Sequence, residues 1–284
     1  MLRGLYTAGT AMMAQNRRMD VITNNIVNME TAGYKADSMV TQSFRDMMIS
    51  RLNDPSVYRY SYVGPHNTGI HIDTIKTSFS QGPLMETNHT TDLALDGDAF
   101  FVVEYTPRTL VPPTREDLAD PDYEPEYEYG DEEERYTRAG NFAVDAEGYL
   151  VTPGGLYVLG QGGRIWVGTV DFQVDSAGTV YVNGEEADTL RLARFEDNGV
   201  LRKEGANLFY AQQGLTDEDG EELDIEPEEV TVTVKQGFLE GSNVDAARET
   251  VRMMEAYRHY EINQRIVQIF DEVLGRSVNE IAKF

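Results

Sequence analysis

Cysteine is absent from the chain. Its absence excludes disulfides, thiolate metal sites and cysteine nucleophiles together, and suits a chain that crosses compartments without needing a redox environment. No apolar run reaches the roughly 18 residues of a membrane span, so no membrane insertion is expected. The N-terminus also lacks the continuous apolar stretch of a cleavable signal: Arg3 and Arg17-Arg18 flank residues that are apolar only periodically. Positive charge is scarce, with 24 Lys and Arg against 49 Asp and Glu. Phosphate recognition needs basic clusters, so nucleic acid is not an expected partner.

Histidine is scarce too. His66 and His71 are five apart and make no clean metal pair, His89 reads as a turn residue, and His259 sits between Arg258 and Tyr260 as a packing or solvent residue. There is no G-x-S-x-G, no Walker loop, and no G-x-G-x-x-G after a strand. The Gly-rich GQGGR (Gly160 to Arg164) is followed by no helical pattern and reads as a turn. No catalytic residue, metal or cofactor is assigned, and the chain reads as a non-enzyme.

Apolar residues make up 40% of the 284, enough for one large domain or two modest ones. The net charge of −25 is concentrated. Glu116 to Glu134 holds 11 acidic and no basic residues, and Asp217 to Glu229 holds 9 and none. These segments carry 20 of the excess negative charges and leave the other 252 residues near −5. Such blocks read as solvated loops. Asp217 to Glu226 partly imitates a calcium loop, with Asp217, Asp219, Gly220 and Glu226 at its third, fifth, sixth and twelfth places. Its first place is Leu215, however, and no helical pattern flanks it.

The chain ends carry the helical signal. In Leu2 to Thr31, Leu5, Met12, Met19 and Ile26 fall seven apart; Ala8, Ile22 and Met29 fall three after members of that series, with Gln15 the polar exception. This is a heptad seam on a helix roughly 45 Å long. Gly33 suits a left-handed position after its end. The last helix is predicted from Ser242, as cap, nearly to Phe284, roughly 60 Å, with Asp245 in its first turn. Val244, Ala247, Val251 and Met254, then Ile262, Ile266, Ile269 and Val273, step by threes and fours, with a stutter at Arg258. One pair of helices cannot cover both seams fully. Exposed over this length they mark an interaction site, unless the pair folds back on its own β domain.

Between the helices the period changes. Ser43 to Leu52 reads as a short helix or extended arm, Val57 to Gly64 alternates, and Ile70, Ile72 and Ile75 are extended. From Thr91 to about Gly237 short strands alternate with Gly-containing turns: Leu93 and Leu95, a turn at Asp96-Gly97, Phe100 to Val103, and the run Tyr136 to Gly160. The expected fold is α+β. Residues 1–36 and 240–284 form a coiled-coil-like helical domain, 37–90 an extended connection, and 91–239 an all-β domain of sandwich or barrel type with an acidic insertion loop at 106–134.

Three separated stretches resemble the flagellar rod and hook protein family. NNIVNMETAGYK (Asn24 to Lys35) resembles its N-terminal signature, an Asn-Asn helix ending in a Gly-aromatic-Lys turn. LDGDAFFVV with YTRAGNFAVDAEGYLVTPGGLYVLG resembles its central β signature. QGFLEGSNVD with Glu249, Met253 and RHYEIN resembles its C-terminal one. The chain is shorter than hook proteins, and RMDVITNNI and RHYEINQR are more similar to a distal than to a proximal rod protein. The resemblance implies a motif set of Asn24, Asn25, Gly33, Tyr34, Lys35, Gly241, Ser242, Asn243, Asp245, Arg258, Tyr260, Glu261 and Asn263. It implies a subunit exported through the flagellar type III apparatus without a cleaved signal, partnering itself in a helical homopolymer and other rod and hook proteins in the basal body, and carrying torque. Leu5, Met12, Met19, Ile22, Ile26, Met29, Val244, Val251, Met254, Ile262, Ile266 and Ile269 are the expected assembly contacts. The rival reading is a secreted β-domain binding module whose acidic loops take calcium or a basic partner.

Overall fold

The structure is a computed structural model that describes residues 2–51, 61–110, 127–212, 227–230 and 232–281. The calcium-like segment, the first half of Val57 to Gly64 and most of both acidic blocks lie outside these residues. The fold is α+β, and it divides into two compact units.

The first unit comprises residues 1–29, 36–78 and 244–284. Helix α1 runs Leu2–Val27 and helix α2 runs Ala246–Ile281. Strands β1 (Asp37–Ser43) and β4 (Ile70–Thr77) pair antiparallel, as do β2 (Met47–Arg51) and β3 (Ser61–His66). The segment from Ser43 that allowed a short helix is therefore a strand from Met47. Helix α1 packs along α2 on one side and against β1 and β4 on another. The end of α1 is joined to the start of β1 by the buried Asn25, whose amide donates to the Asp37 carbonyl (2.8 Å) and accepts from the Asp37 N–H (2.9 Å). A side-chain amide here pairs with backbone as a neighbouring strand would. Its neighbour Asn24 is exposed, and its carbonyl accepts from the Asn28 side chain at 2.8 Å as the helix ends. The helix stops at Val27, so Gly33 is not its terminator; the glycine sits six residues on, in a turn with φ +68°.

The second unit comprises residues 30–35 and 79–243. Its main sheet has six antiparallel strands in the order Leu201–Glu204, Leu208–Ala211, Glu133–Thr137, Phe100–Tyr105, Leu192–Arg194 and Glu228–Glu229. Phe100–Tyr105 explains the apolar run AFFVV. Phe101 and Val103 point into one core with Leu93, Leu95, Ile165, Phe172 and Val180; Phe100 and Val102 point into another with Tyr136, Phe195, Leu201 and Phe209. A strand buried on both faces has no polar alternation to show. Leu93–Asp96 does not hairpin onto it across Asp96-Gly97 but pairs with Thr233–Gln236, whose Thr233 lies opposite Asp96, 137 residues away in the chain. The acidic insertion is not all loop: Arg108–Leu110 and Tyr127–Tyr129 pair antiparallel, and Glu133–Thr137 joins the main sheet.

The two units differ in charge. By sequence the first holds 13 Lys and Arg against 12 Asp and Glu, the second 11 against 37. Their nets are +1 and −26.

Candidate assembly face and a buried ionic anchor

Asp245 starts α2. Its Oδ1 accepts from the N–H groups of Ala247 (3.0 Å) and Arg248 (3.2 Å), satisfying donors that a helix start leaves open. Ser242, the expected cap, is buried three residues earlier.

Helix α2 has two faces. Glu249, Met253, Ala256, Tyr260, Asn263, Val267, Phe270 and Leu274 are buried or half-buried, in alternating steps of four and three. This face meets α1 so closely that a Cβ on Gly4 would lie 2.4 Å from the Phe270 ring. On another flank Val251, Met254, Ile262, Ile266, Ile269 and Val273 stay 37–59% exposed. The apolar seam read from the sequence on α2 is thus the uncovered one. The covered one escaped that reading because Glu249 and Asn263 break its apolar pattern, although its period of 3.5 was legible. On α1, Ile22 is buried, Leu5, Met12, Met19 and Ile26 are half-buried, and Met29, just past the helix, is exposed. Val244 is half-buried.

The motif residues from the two ends of the chain meet inside the second unit. Lys35, fully buried, places Nζ 2.6 Å from Glu240 Oε1 and donates to the Ser80 carbonyl at 2.9 Å. Glu240 Oε1 also accepts from the Gly82 N–H at 2.8 Å, and its Oε2 lies 3.3 Å from Arg138 Nη1. Arg138 is 2% exposed, lies over the Phe100 ring, and has Asp98 3.8 Å away on its other side. One buried carboxylate therefore serves two buried cations. Burial pushes the Lys35 ammonium below its ordinary range, opposed by the Glu240 charge; Arg138 is lowered by burial in the same way.

Backbone bonds fix the same junction. The Gly33 N–H donates to the Glu240 carbonyl at 2.8 Å, the Gly241 N–H to the Pro83 carbonyl at 2.8 Å, and the Asn243 N–H to the Tyr34 carbonyl at 3.4 Å. Asn243 Nδ2 reaches the Ser80 carbonyl at 3.1 Å. Lys203 Nζ sits 3.6 Å from the Tyr34 ring centroid and donates to the Lys35 carbonyl. A Cβ on Gly33 would lie 2.3 Å from the Ala139 nitrogen. Of the remaining motif residues, Tyr260 and Asn263 line the covered face of α2, Glu261 is half-buried, and Arg258 is exposed. Glu240, Arg138 and Lys203 were missed. The available signal was a lone acid in the apolar stretch QGFLEG.

Residues 5–35 match the model of the flagella basal body rod protein, 126–182 that of the flagellar hook protein FlgE/F/G D1 domain, and 235–280 that of the flagellar basal body rod FlgEFG protein C-terminal region. The chain is 32% identical to the flagellar hook-basal body complex protein FlhO of Bacillus subtilis (strain 168), covering 100% of both. It is 32% identical to the flagellar basal-body rod protein FlgG of the same organism, over 98% of this chain and 99% of that one. To FlgG of Borreliella burgdorferi it is 30% identical over 98% of each. The first and third models cover the segments that close the Lys35–Glu240 anchor, and full-length likeness joins them: the chain belongs to the flagellar basal-body rod protein family, FlgG type.

Proposed function

We propose that this non-enzymatic rod subunit self-assembles through its terminal helices into a helical tubular shaft that transmits torque from motor to hook. The observation that carries the reading is the uncovered apolar stripe of α2. A helix already packed on one face still presents six Val, Met and Ile side chains on another. Each is worth about 1.5–3 kcal/mol when fully buried, and about half of that surface remains open, so on the order of 5–9 kcal/mol per subunit is left to gain before association costs.

A neighbouring copy laying its own helix there would make a coiled-coil-like, heterologous contact. Such contacts repeat without closing and generate open helical filaments. In this reading 1–36 and 240–284 are the assembly domain. The other partners are rod and hook proteins and the flagellar export apparatus, with export by a route that cleaves no signal. Among the described residues no helix is long and apolar enough to cross a membrane.

The test is Ile269→Asp, read by sedimentation velocity over a concentration series with circular dichroism in parallel. The wild-type chain is expected to form large particles as concentration rises; the variant is expected to stay monomeric with its helical signal intact. Assembly of the variant at wild-type concentrations would refute the assignment of this face.

A further inference from the structure

We propose that the depression around Trp166 in the second unit is a docking site for a cationic side chain, arginine or lysine, presented by a partner protein. Trp166 is the chain's single tryptophan, and it is 53% exposed. It is nevertheless held still. Its Nε1 donates to the Glu147 carbonyl at 3.1 Å. Its ring lies against Gly148 and Gly168, where an added Cβ would come within 2.8 Å of Nε1 and of Cη2 respectively. Both glycines have positive φ, +91° and +67°, so the backbone beneath the ring takes a course that side chains rarely follow. The polar end of the indole is spent internally, and what remains open is ring surface. A tryptophan kept rigid, solvent-facing and without a free donor is built for contact rather than for the core.

The surroundings select the partner. Trp166 shares an open depression of about 540 Å³ with Asn183, Glu185, Glu186 and Asp188. Glu185 and Glu186 are exposed and form no ion pair among the described residues. Asp188 accepts from the Gly162 and Thr189 N–H groups. The cation on the rim, Arg164, is already engaged by Glu104 and Glu132 and lies over the Tyr157 ring. An open indole face beside uncompensated carboxylates attracts a cation through both the ring quadrupole and the charges. A neutral sugar would stack on the ring and donate hydrogen bonds to the carboxylates but would gain nothing from their net charge. The −26 net charge of the unit adds long-range attraction of the same sign.

The experiment uses the full-length chain and a dye-labelled Gly-Arg-Arg-Gly peptide. Fluorescence anisotropy reads binding, and tryptophan emission excited at 295 nm reads the site. Gly-Glu-Glu-Gly and a chito-oligosaccharide are the controls. The expected result is a saturable, one-to-one change in both signals. Trp166→Leu, and separately Glu185→Gln with Glu186→Gln, should each weaken binding by about three- to tenfold. Undiminished peptide binding by both variants would place the peptide on the acidic segments and overturn the proposal. So would a tryptophan response to the oligosaccharide but not to the arginine peptide. Should Trp166→Leu change the urea unfolding curve, the double Gln variant decides alone, since its side chains are exposed.

Discussion

Glu240→Gln removes one charge and leaves two buried cations without their shared counterion. Lys35 and Arg138 are both essentially inaccessible to water, and Asp98, 3.8 Å from Arg138, is mostly solvated and screens little. Stripping one partner from a buried ion pair costs about 3–5 kcal/mol, and here the loss falls on two cations, so the upper end of that range is expected. Lys35→Met is the control. It removes a cation but leaves Arg138 and Glu240 as a one-to-one pair. The Ser80 carbonyl keeps its bond from Asn243, so only about 1–2 kcal/mol is expected. The order should therefore be Glu240→Gln well above Lys35→Met, by about 2–3 kcal/mol. Urea denaturation followed by Trp166 emission reports the second unit directly, and ellipticity at 222 nm reports the helices of the first. The Gln variant has a further signature in pH. With Glu240 gone, only the Asp98 charge, the smallest of the contributions, opposes the burial that already holds Lys35 below 10.5. The unfolded chain then binds the extra proton, so stability rises with pH in the window just below 10.5 as Lys35 discharges in the folded state. Equal costs for the two substitutions, or a Gln variant indifferent to alkaline pH, would refute the account in which charge balance governs this junction.

Two further outcomes are expected. Gly33→Ala should lower stability by about 2–4 kcal/mol in the same urea assay, because it adds left-handed strain to a Cβ that would press on the Ala139 backbone; a loss under about 0.5 kcal/mol would mean that the turn relaxes freely. Raising sodium chloride from 20 to 300 mM should lower the concentration at which the full chain forms large particles, because each added copy brings a unit of net charge −26 near its neighbours; light scattering that is insensitive to salt would show these charges to lie beyond each other's reach.

The terminal helices, the change of period between them and the chain of short strands were all legible because each rests on local apolar spacing. The motif residues Asn25, Tyr34, Lys35 and Asn243 were found as a pattern, but their partners were not. Arg138 and Lys203 lie in stretches whose sequence looks like ordinary strand surface, and only the tertiary fold brings them to Lys35 and Tyr34. Pairing of Leu93–Asp96 with Thr233–Gln236 is hidden for the same reason: Asp96-Gly97 is a good turn signal, and nothing local says that the strand after it belongs elsewhere. On α2 the stronger apolar stripe was read, and the polar-interrupted stripe proved to be the one that α1 covers.

The Lys35–Glu240 contact spans 205 residues, which makes it an event in time as well as a bond. A chain emerging N-terminus first presents α1, Tyr34 and Lys35 long before anything exists to cover them. Closing so long a loop is entropically slow, and the reward arrives only when both ends are present. The last stretch to appear, from Glu240 through α2, supplies at once the counterion for Lys35, the acceptor for the Gly33 N–H and the helix that covers α1. Completion of the fold is thereby a test of completeness of the chain: a product broken off before residue 240 keeps an uncompensated lysine and a bare helix, the marks by which an unfinished molecule is told from a finished one.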